Sequence, residues 1–161
     1  MVEYNYTISG GRDMKKTSLL LLLSMLAASG CGKSGLAAGQ ISYSGKTLTY
    51  GENKVDDAFF TDGVELTLNN DNEVRSITIT NKDVKTYKDI SVGDKIEKVQ
   101  SDYNYENEIG NTILVTIDGD KEIDPETENK PEDTIYINYF YDNDTITKIA
   151  IYDATYATTM R

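Results

Sequence analysis

The side chains of this sequence with the most obvious chemical potential are carboxylates. Asp118, Asp120, Glu122 and Asp124 alternate along one segment, Asp71 and Glu73 share a turn, and Asp142 and Asp144 share another. Groups of this kind bind hard cations or, in pairs, cleave glycosidic bonds. Calcium takes roughly six to eight oxygens converging from several chain positions. No segment has the Asp-x-Asx-x-Asx-Gly…Glu order of a calcium loop, because Gly119 is misplaced within its cluster. Solvated turns are the simpler reading, with loose cation binding by residues 118–133 as the alternative. Glycoside chemistry needs two carboxylates roughly 5–10 Å apart, and spacing along the chain does not supply that distance. The chain has no histidine and a single cysteine, Cys31. A Ser/His/Asp or Cys/His unit therefore cannot be assembled, nor can a His-ligated metal site. Catalytic residues, cofactors and a metal centre are not expected, and a carboxylate-based cell-wall glycan enzyme is the least favoured of three functional readings.

Gly93-Asp94 is the most motif-like pair. An anion site at a helix start would be repelled by Asp94 itself, so a turn followed by a helix N-cap is the expected role. The tyrosines point to a partner surface instead. Tyr136, Tyr139, Tyr141 and Tyr152 crowd the C-terminal strands, with Tyr156 just beyond. Alternation places Tyr139 and Tyr141 on the face of Ile135 and Ile137, and Tyr136 on that of Phe140. Tyrosine offers a large contact area at low entropic cost, which suits an interface. The same pattern fits half-buried sheet residues, and both readings stand at this point.

The N-terminus determines where such a surface would work. Lys15 and Lys16 precede the apolar run Leu19–Leu26, and Ala27, Ala28, Ser29 and Gly30 lead to Cys31. This is the layout of a secretory signal peptide. The apolar run is shorter than the roughly 20 residues that a bilayer-spanning helix requires. Ala-Ser-Gly-Cys resembles the lipobox of bacterial lipoproteins, although Ala28 stands where leucine is commoner. The resemblance implies lipidation of the Cys31 thiol and cleavage at its amino side. An ordinary leader with an incidental cysteine is the alternative. Residues 1–13 fit neither reading and look like an upstream extension, with translation starting at Met14.

Removing residues 1–30 lowers Lys+Arg from 16 to 13 and Asp+Glu from 27 to 25, so the formal charge becomes −12. So acidic a chain does not suit nucleic acid, which requires Lys and Arg against its phosphates. It is equally unsuited to lying flat on anionic lipid. The expected partners are the membrane, through the lipid on Cys31, and another envelope protein.

Residues 31–40 read as a flexible tether. Val64, Leu66 and Leu68 alternate with polar residues, and Val74 to Thr80 follows a turn at Asn69 to Asn72, together making a hairpin. Asp94 to Tyr103 carries an apolar stripe at Ile96, Val99 and Tyr103, a helix expected to be capped by Asp94 with Glu97 three residues on. Asn53 to Phe60 suggests a shorter helix. Thr112 to Ile117 is a strand, Asp118 to Asp133 an acidic excursion, and Thr134–Tyr141 with Thr145–Tyr152 a second hairpin. Residues 68–79 align with 140–151 at an offset of 72, matching at 68/140, 74/146, 77/149 and 79/151. Leu48-Thr-Tyr-Gly-Glu52 echoes Ile90-Ser-Val-Gly-Asp94 at an offset of 42.

The segment Val84-Lys-Thr-Tyr-Lys-Asp-Ile-Ser-Val-Gly-Asp-Lys-Ile-Glu-Lys-Val99, with the two hairpins, resembles the β-lactamase-inhibitor-protein-like fold. It is also similar to outer-membrane assembly lipoproteins of the BamE/SmpA type and to lipoproteins of Gram-positive gut bacteria of the Firmicutes type. That resemblance implies an α+β fold of two related halves, each a helix on an antiparallel sheet, over 41–88 and 89–152, followed by a tail at 153–161. The function it suggests is a lipid-anchored, extracytoplasmic, non-catalytic binding module on the outer face of the cell membrane. A structural lipoprotein for envelope maintenance or assembly is the second reading. In a cell fed radiolabelled palmitate the intact chain should take up label and fractionate with membranes. Cys31→Ser should stay unlabelled and keep its precursor mass, and label on that variant would reject lipidation at this residue.

Overall fold

The computed structural model describes residues 35–104, 106–153 and 156. The upstream extension, the leader, Cys31 and most of the 153–161 tail lie outside the described residues. Gly35 to Arg161 group as one compact unit. Order begins just ahead of Ile41: Gly39 is buried with φ +77°, and a Cβ there would stand 3.2 Å from that of Tyr50.

Among the described residues nine strands run in chain order: β1 (Gln40–Tyr43), β2 (Lys46–Thr49), β3 (Val64–Leu68), β4 (Val74–Ile79), β5 (Asn107–Glu108), β6 (Thr112–Asp118), β7 (Lys121–Ile123), β8 (Ile135–Asp142) and β9 (Thr145–Asp153). Strands β1 and β2 form a separate hairpin. The other seven make one antiparallel sheet in the order β3-β4-β9-β8-β6-β5, with β7 also paired to β6. Alternation sorts the sheet into two faces. Ile77, Ile79, Ile113, Val115, Ile117, Ile137, Ile149 and Ile151 are all buried on one of them. That face is covered by Ile41 and Leu48 of the first hairpin, by Phe59, Val84 and Ile90, and by Ile96, Val99 and Tyr103.

The expected α+β architecture with a helix in each half is overturned. The described residues are mostly β and sandwich-like, and they contain one α-helix, α1 (Ile96–Asp102), of seven residues. The first half has only a 3₁₀ turn at Asp57–Phe59 in place of the helix expected over Asn53 to Phe60. Its apolar content is the reason: Val55 and Phe59 are the side chains it buries or half-buries against the core, too few to repay helix nucleation in a short segment. In α1 Ile96 and Val99, with Tyr103 just past its end, reach the core at helical spacing, and packing sustains two turns. Part of the acidic excursion is also ordered, since β7 pairs with β6 from Thr116↔Ile123 to Asp118↔Lys121.

The two hairpins are built alike in detail. Val74 and Ile77, like Ile146 and Ile149, are three residues apart, yet all four are buried. Strict alternation would send one of each pair to the opposite face. A bulge resolves this in both places: pairing passes from Thr67↔Ser76 to Leu68↔Val74, skipping Arg75, and from Phe140↔Lys148 to Tyr141↔Ile146, skipping Thr147. Arg75 and Thr147 are themselves 72 apart. The loop of the first hairpin is one residue longer, so on the leading strands Leu68 corresponds to Tyr141 rather than to Phe140.

The Gly-acid echo has a structural counterpart too. Gly51 N–H donates to Val74 C=O and Val74 N–H to Glu52 C=O; Gly93 N–H donates to Ile146 C=O and Ile146 N–H to Asp94 C=O. The acids act alike, Glu52 accepting from Thr49 N–H and Asp94 from Ser91 N–H, each at 2.9 Å. Both glycines have positive φ, +81° and +93°, a conformation that side chains disfavour. The halves meet where β4 pairs β9, with Ile77↔Ile151 and Ile79↔Ile149 flanking Thr78↔Ala150. Thr78 thus faces its own equivalent, and the two isoleucine pairs on either side exchange across a local two-fold between Thr78 and Ala150. Ile149→Ala, which empties the core beside this seam, should cost about 2–5 kcal/mol in urea unfolding. Thr78→Ala on the opposite face should cost about 1 kcal/mol or less, and equal losses would contradict the assignment of faces.

Candidate functional site

The sheet face away from the core has no second layer among the described residues, and a depression of mixed apolar and polar lining lies there. It has a volume of about 460 Å³ and is bordered by Glu65, Thr67, Asn138, Phe140, Tyr152 and Tyr156. Register explains its composition. On β8 the residues between the core positions are Tyr136, Asn138 and Phe140, and their partners on β9 are Tyr152, Ala150 and Lys148. Thr78 and Ser76 of β4, then Glu65 and Thr67 of β3, continue the same rows.

Aromatic rings dominate one side of this face. Tyr136 and Tyr152 stack with centroids 5.6 Å apart and planes 7° from parallel. Tyr152 is also 6.4 Å from Tyr156, and Lys148 Nζ stands 3.9 Å from the centre of the Phe140 ring, a cation–π contact. Asn138 Nδ2 donates to the Tyr152 hydroxyl at 2.7 Å and so fixes its rotamer. Partial burial raises the Tyr152 pKa above its ordinary value, with the Asn138 bond opposing; burial and then Tyr152 raise that of Tyr136. Both phenols therefore stay neutral and able to donate. On the other side Ser76 Oγ donates to Thr67 Oγ1 at 3.0 Å, and small hydroxyls line the floor.

Of the four tyrosines singled out from the sequence, two belong here. Tyr136 and Tyr152 are brought together on the open face. Tyr139 is not a surface residue. It is fully buried on the core face, where its hydroxyl shares a 2.8 Å hydrogen bond with that of Tyr103. Burial pushes both phenols well above the ordinary tyrosine value. Tyr141 follows Tyr139 on the core side at the end of the sheet, and its hydroxyl donates to Glu108. Phe140, Asn138 and Lys148 were not singled out from the sequence. Two-residue spacing from Tyr136 would have found the first two, and the same spacing back from Tyr152 would have found Lys148.

Asp94 is not the N-cap of α1. That position is Lys95, without a side-chain cap. The Asp94 carboxylate instead accepts from Ser91 N–H and from Lys98 Nζ at 3.0 Å. Desolvation would raise its pKa, but the Lys98 and Ser91 bonds outweigh that and hold it below the ordinary value. Among the described residues no three acidic, histidine or cysteine side chains converge in a manner suited to a metal ion.

The alternating acids divide once folded: Glu122 turns inward to Lys88, while Asp118 and Asp120 stay at the hairpin end. A smaller concavity of about 330 Å³ is edged by Glu106, Glu108, Asp124 and Glu126. Lys88 is an anchor that sequence reasoning missed. Its φ is +58°, and its ammonium meets Glu122, the Asp102 carbonyl and the face of Tyr103 at 4.1 Å. Together these contacts hold a backbone conformation that costs about 1 kcal/mol or more. Desolvation raises the Glu122 pKa, yet the bonds from Lys88 and from Asn104 more than offset it and leave the value below 4.5. A depressed acid contributes fully above its unfolded value and loses that contribution as pH falls through the folded one. The melting-temperature gap between the wild type and Glu122→Gln should therefore be constant above about pH 5 and close on acidification. A gap that widened in acid would contradict the clasp.

Among the described residues no helix is long and apolar enough to cross a membrane. No protein-family model, no curated protein and no solved structure matches the chain.

Proposed function

We propose that this protein is a non-catalytic binding module, held on the outer face of a membrane by a lipid on Cys31, and that its ligand lies on the open face of the seven-stranded sheet. The observation carrying the reading is the stacked Tyr136–Tyr152 pair beside Phe140, left uncovered over a floor of small hydroxyls. A sheet that needed only stability would place charged or threonine side chains there. Rings of this size on an open face indicate contact area kept for something else.

The chemistry of the depression fits binding better than turnover. Glu65 is the one carboxylate at its border, whereas carboxylate-based glycoside cleavage uses two acids. Its other polar side chains are hydroxyls and one amide, which orient a ligand without reacting with it. A leader and lipidated cysteine would place this face outside the cytoplasm, where an envelope protein or wall glycan is within reach.

Residues 35–161, immobilised, can be exposed to detergent-solubilised envelope extract and separately to wall glycan fragments. A component retained by the native sequence should be lost about tenfold or more in Phe140→Ser/Tyr152→Ser, since buried aromatic anchors are commonly worth about 2 kcal/mol each. The melting temperature should move by only a few degrees, because both rings are partly exposed. Undiminished retention by the double variant would reject this face as the site.

A further inference from the structure

The repeated hairpins differ in one respect that stability does not explain. The outer side of β8 carries β6 in an unbroken antiparallel register from Thr112↔Phe140 to Ile117↔Ile135. The equivalent outer side of β3 is the edge of the sheet, with no strand beyond it among the described residues. Bulge matching makes β3 the counterpart of β8, with Thr67 and Leu68 at the places of Phe140 and Tyr141. Thr80 N–H donates to Gly63 C=O. By alternation Gly63, Glu65 and Thr67 direct their backbone groups at β4, while those of Leu66 and Leu68 point outward. The twin position agrees, since Tyr141 N–H donates away from β9 to Asn111 C=O.

Two further observations mark this edge. Three large apolar side chains are exposed among the described residues; one of them, Leu68 at 39%, ends β3, and another, Phe60 at 65%, lies four residues ahead of its start. Natural sheet edges are commonly guarded by lysine or proline, yet residues 57–68 contain neither. That stretch does contain Asp57, Asp62 and Glu65, all exposed. We propose that β3 is a strand-acceptor edge, to which an extended segment of another protein, apolar at alternate positions and bearing Lys or Arg, adds antiparallel as an eighth strand. Backbone pairing would supply affinity, and Phe60 and Leu68 would receive its apolar side chains. The three carboxylates would select the basic partner. A second copy of this chain is the disfavoured occupant, since it would set Glu65 near its own image between two strongly acidic molecules. The edge adjoins the open-face depression at Glu65 and Thr67, but pairing through the backbone of Leu66 and Leu68 requires neither Phe140 nor Tyr152, so the aromatic variant tells the two readings apart.

The probe is a synthetic peptide carrying the sequence Thr112–Ile117 between pairs of lysines, added to residues 35–161. Saturating peptide should slow amide exchange at Leu66 and Leu68 by about tenfold or more. Glu65→Lys with Asp62→Lys should weaken binding several-fold and flatten its salt dependence. Leu66→Pro should abolish binding, a proline being tolerated where an edge N–H faces solvent. Should that variant misfold, the peptide itself tests the pairing. N-methylation of every second amide should block binding in one phase and spare it in the other, because only alternate amides of an added strand face β3. Phe140→Ser/Tyr152→Ser should leave peptide binding unchanged. Unslowed exchange at Leu66 under millimolar peptide would overturn the proposal. So would equal binding by both methylated phases, or a protein-only protection that grows with concentration.

Discussion

The pairing of β4 with β9 is the constraint on which the rest of this structure depends. It joins the last strand of each half back to back, and the isoleucines at Ile77↔Ile151 and Ile79↔Ile149 lie at the centre of the core. Either half alone would present an open hairpin edge with a row of buried-type side chains and no cover, and an isolated hairpin is marginal in water. The seam converts two such edges into interior pairing. It also requires the bulges, because Val74 and Ile146 reach the core only if one residue is skipped before the seam begins. The Gly-acid turns then dock on those same two residues, so bulge, turn and seam form one cooperative unit repeated about a local two-fold.

Covering material is scarce in a chain of this size, and that scarcity explains the open face. One small hairpin, two tight turns and seven helical residues are spent on the core side. Among the described residues nothing comparable lies on the other side, which stays in contact with solvent as antiparallel sheets permit. Its residues divide accordingly. Threonine, serine and asparagine satisfy themselves or water, whereas Tyr136, Tyr152 and Phe140 place ring area where a second layer would otherwise sit. The stacked pair costs little to keep ordered, because each ring braces the other and Asn138 fixes one hydroxyl.

Much of this was legible in the residues. Alternation located the main strands, and the echo at offsets of 72 and 42 marked two hairpins with matching bulges and the Gly-acid turns that dock on them. The three-residue step between Val74 and Ile77, repeated at Ile146 and Ile149, contained the bulge as well, since no regular strand buries both. What was not legible depended on competition between neighbours. Asn53 to Phe60 suggested a second, shorter helix, but a short segment with few apolar contacts settles as a 3₁₀ turn. Asp94 matched a cap by spacing, yet its carboxylate is held by Ser91 and Lys98 one turn away. Tyr139 resembled its neighbours in type, and only the count of two along β8 separates it from Tyr136. Once that count places it inside, its hydroxyl demands a partner, which Tyr103 supplies from the far end of α1.

The insertion in the second half shows how one repeat can be completed while its twin is left short. Residues between α1 and β8 contribute β5, β6 and β7, and β6 fills the outer side of β8. That added layer needs its own fastening, since a sheet edge moved outward is still an edge. Lys88 provides it, reaching from a strained turn near the core to Glu122 on β7 and to the end of α1. Tyr103 joins both sides of this fastening, its ring under the Lys88 ammonium and its hydroxyl on Tyr139. The first half has no counterpart to any of these parts, and its turn at Asp57–Phe59 leads directly into β3. The asymmetry therefore lies in the strands that one hairpin has beyond its outer side and the other lacks among the described residues. It leaves β3 with the geometry of an acceptor strand, complete except for the strand it would accept.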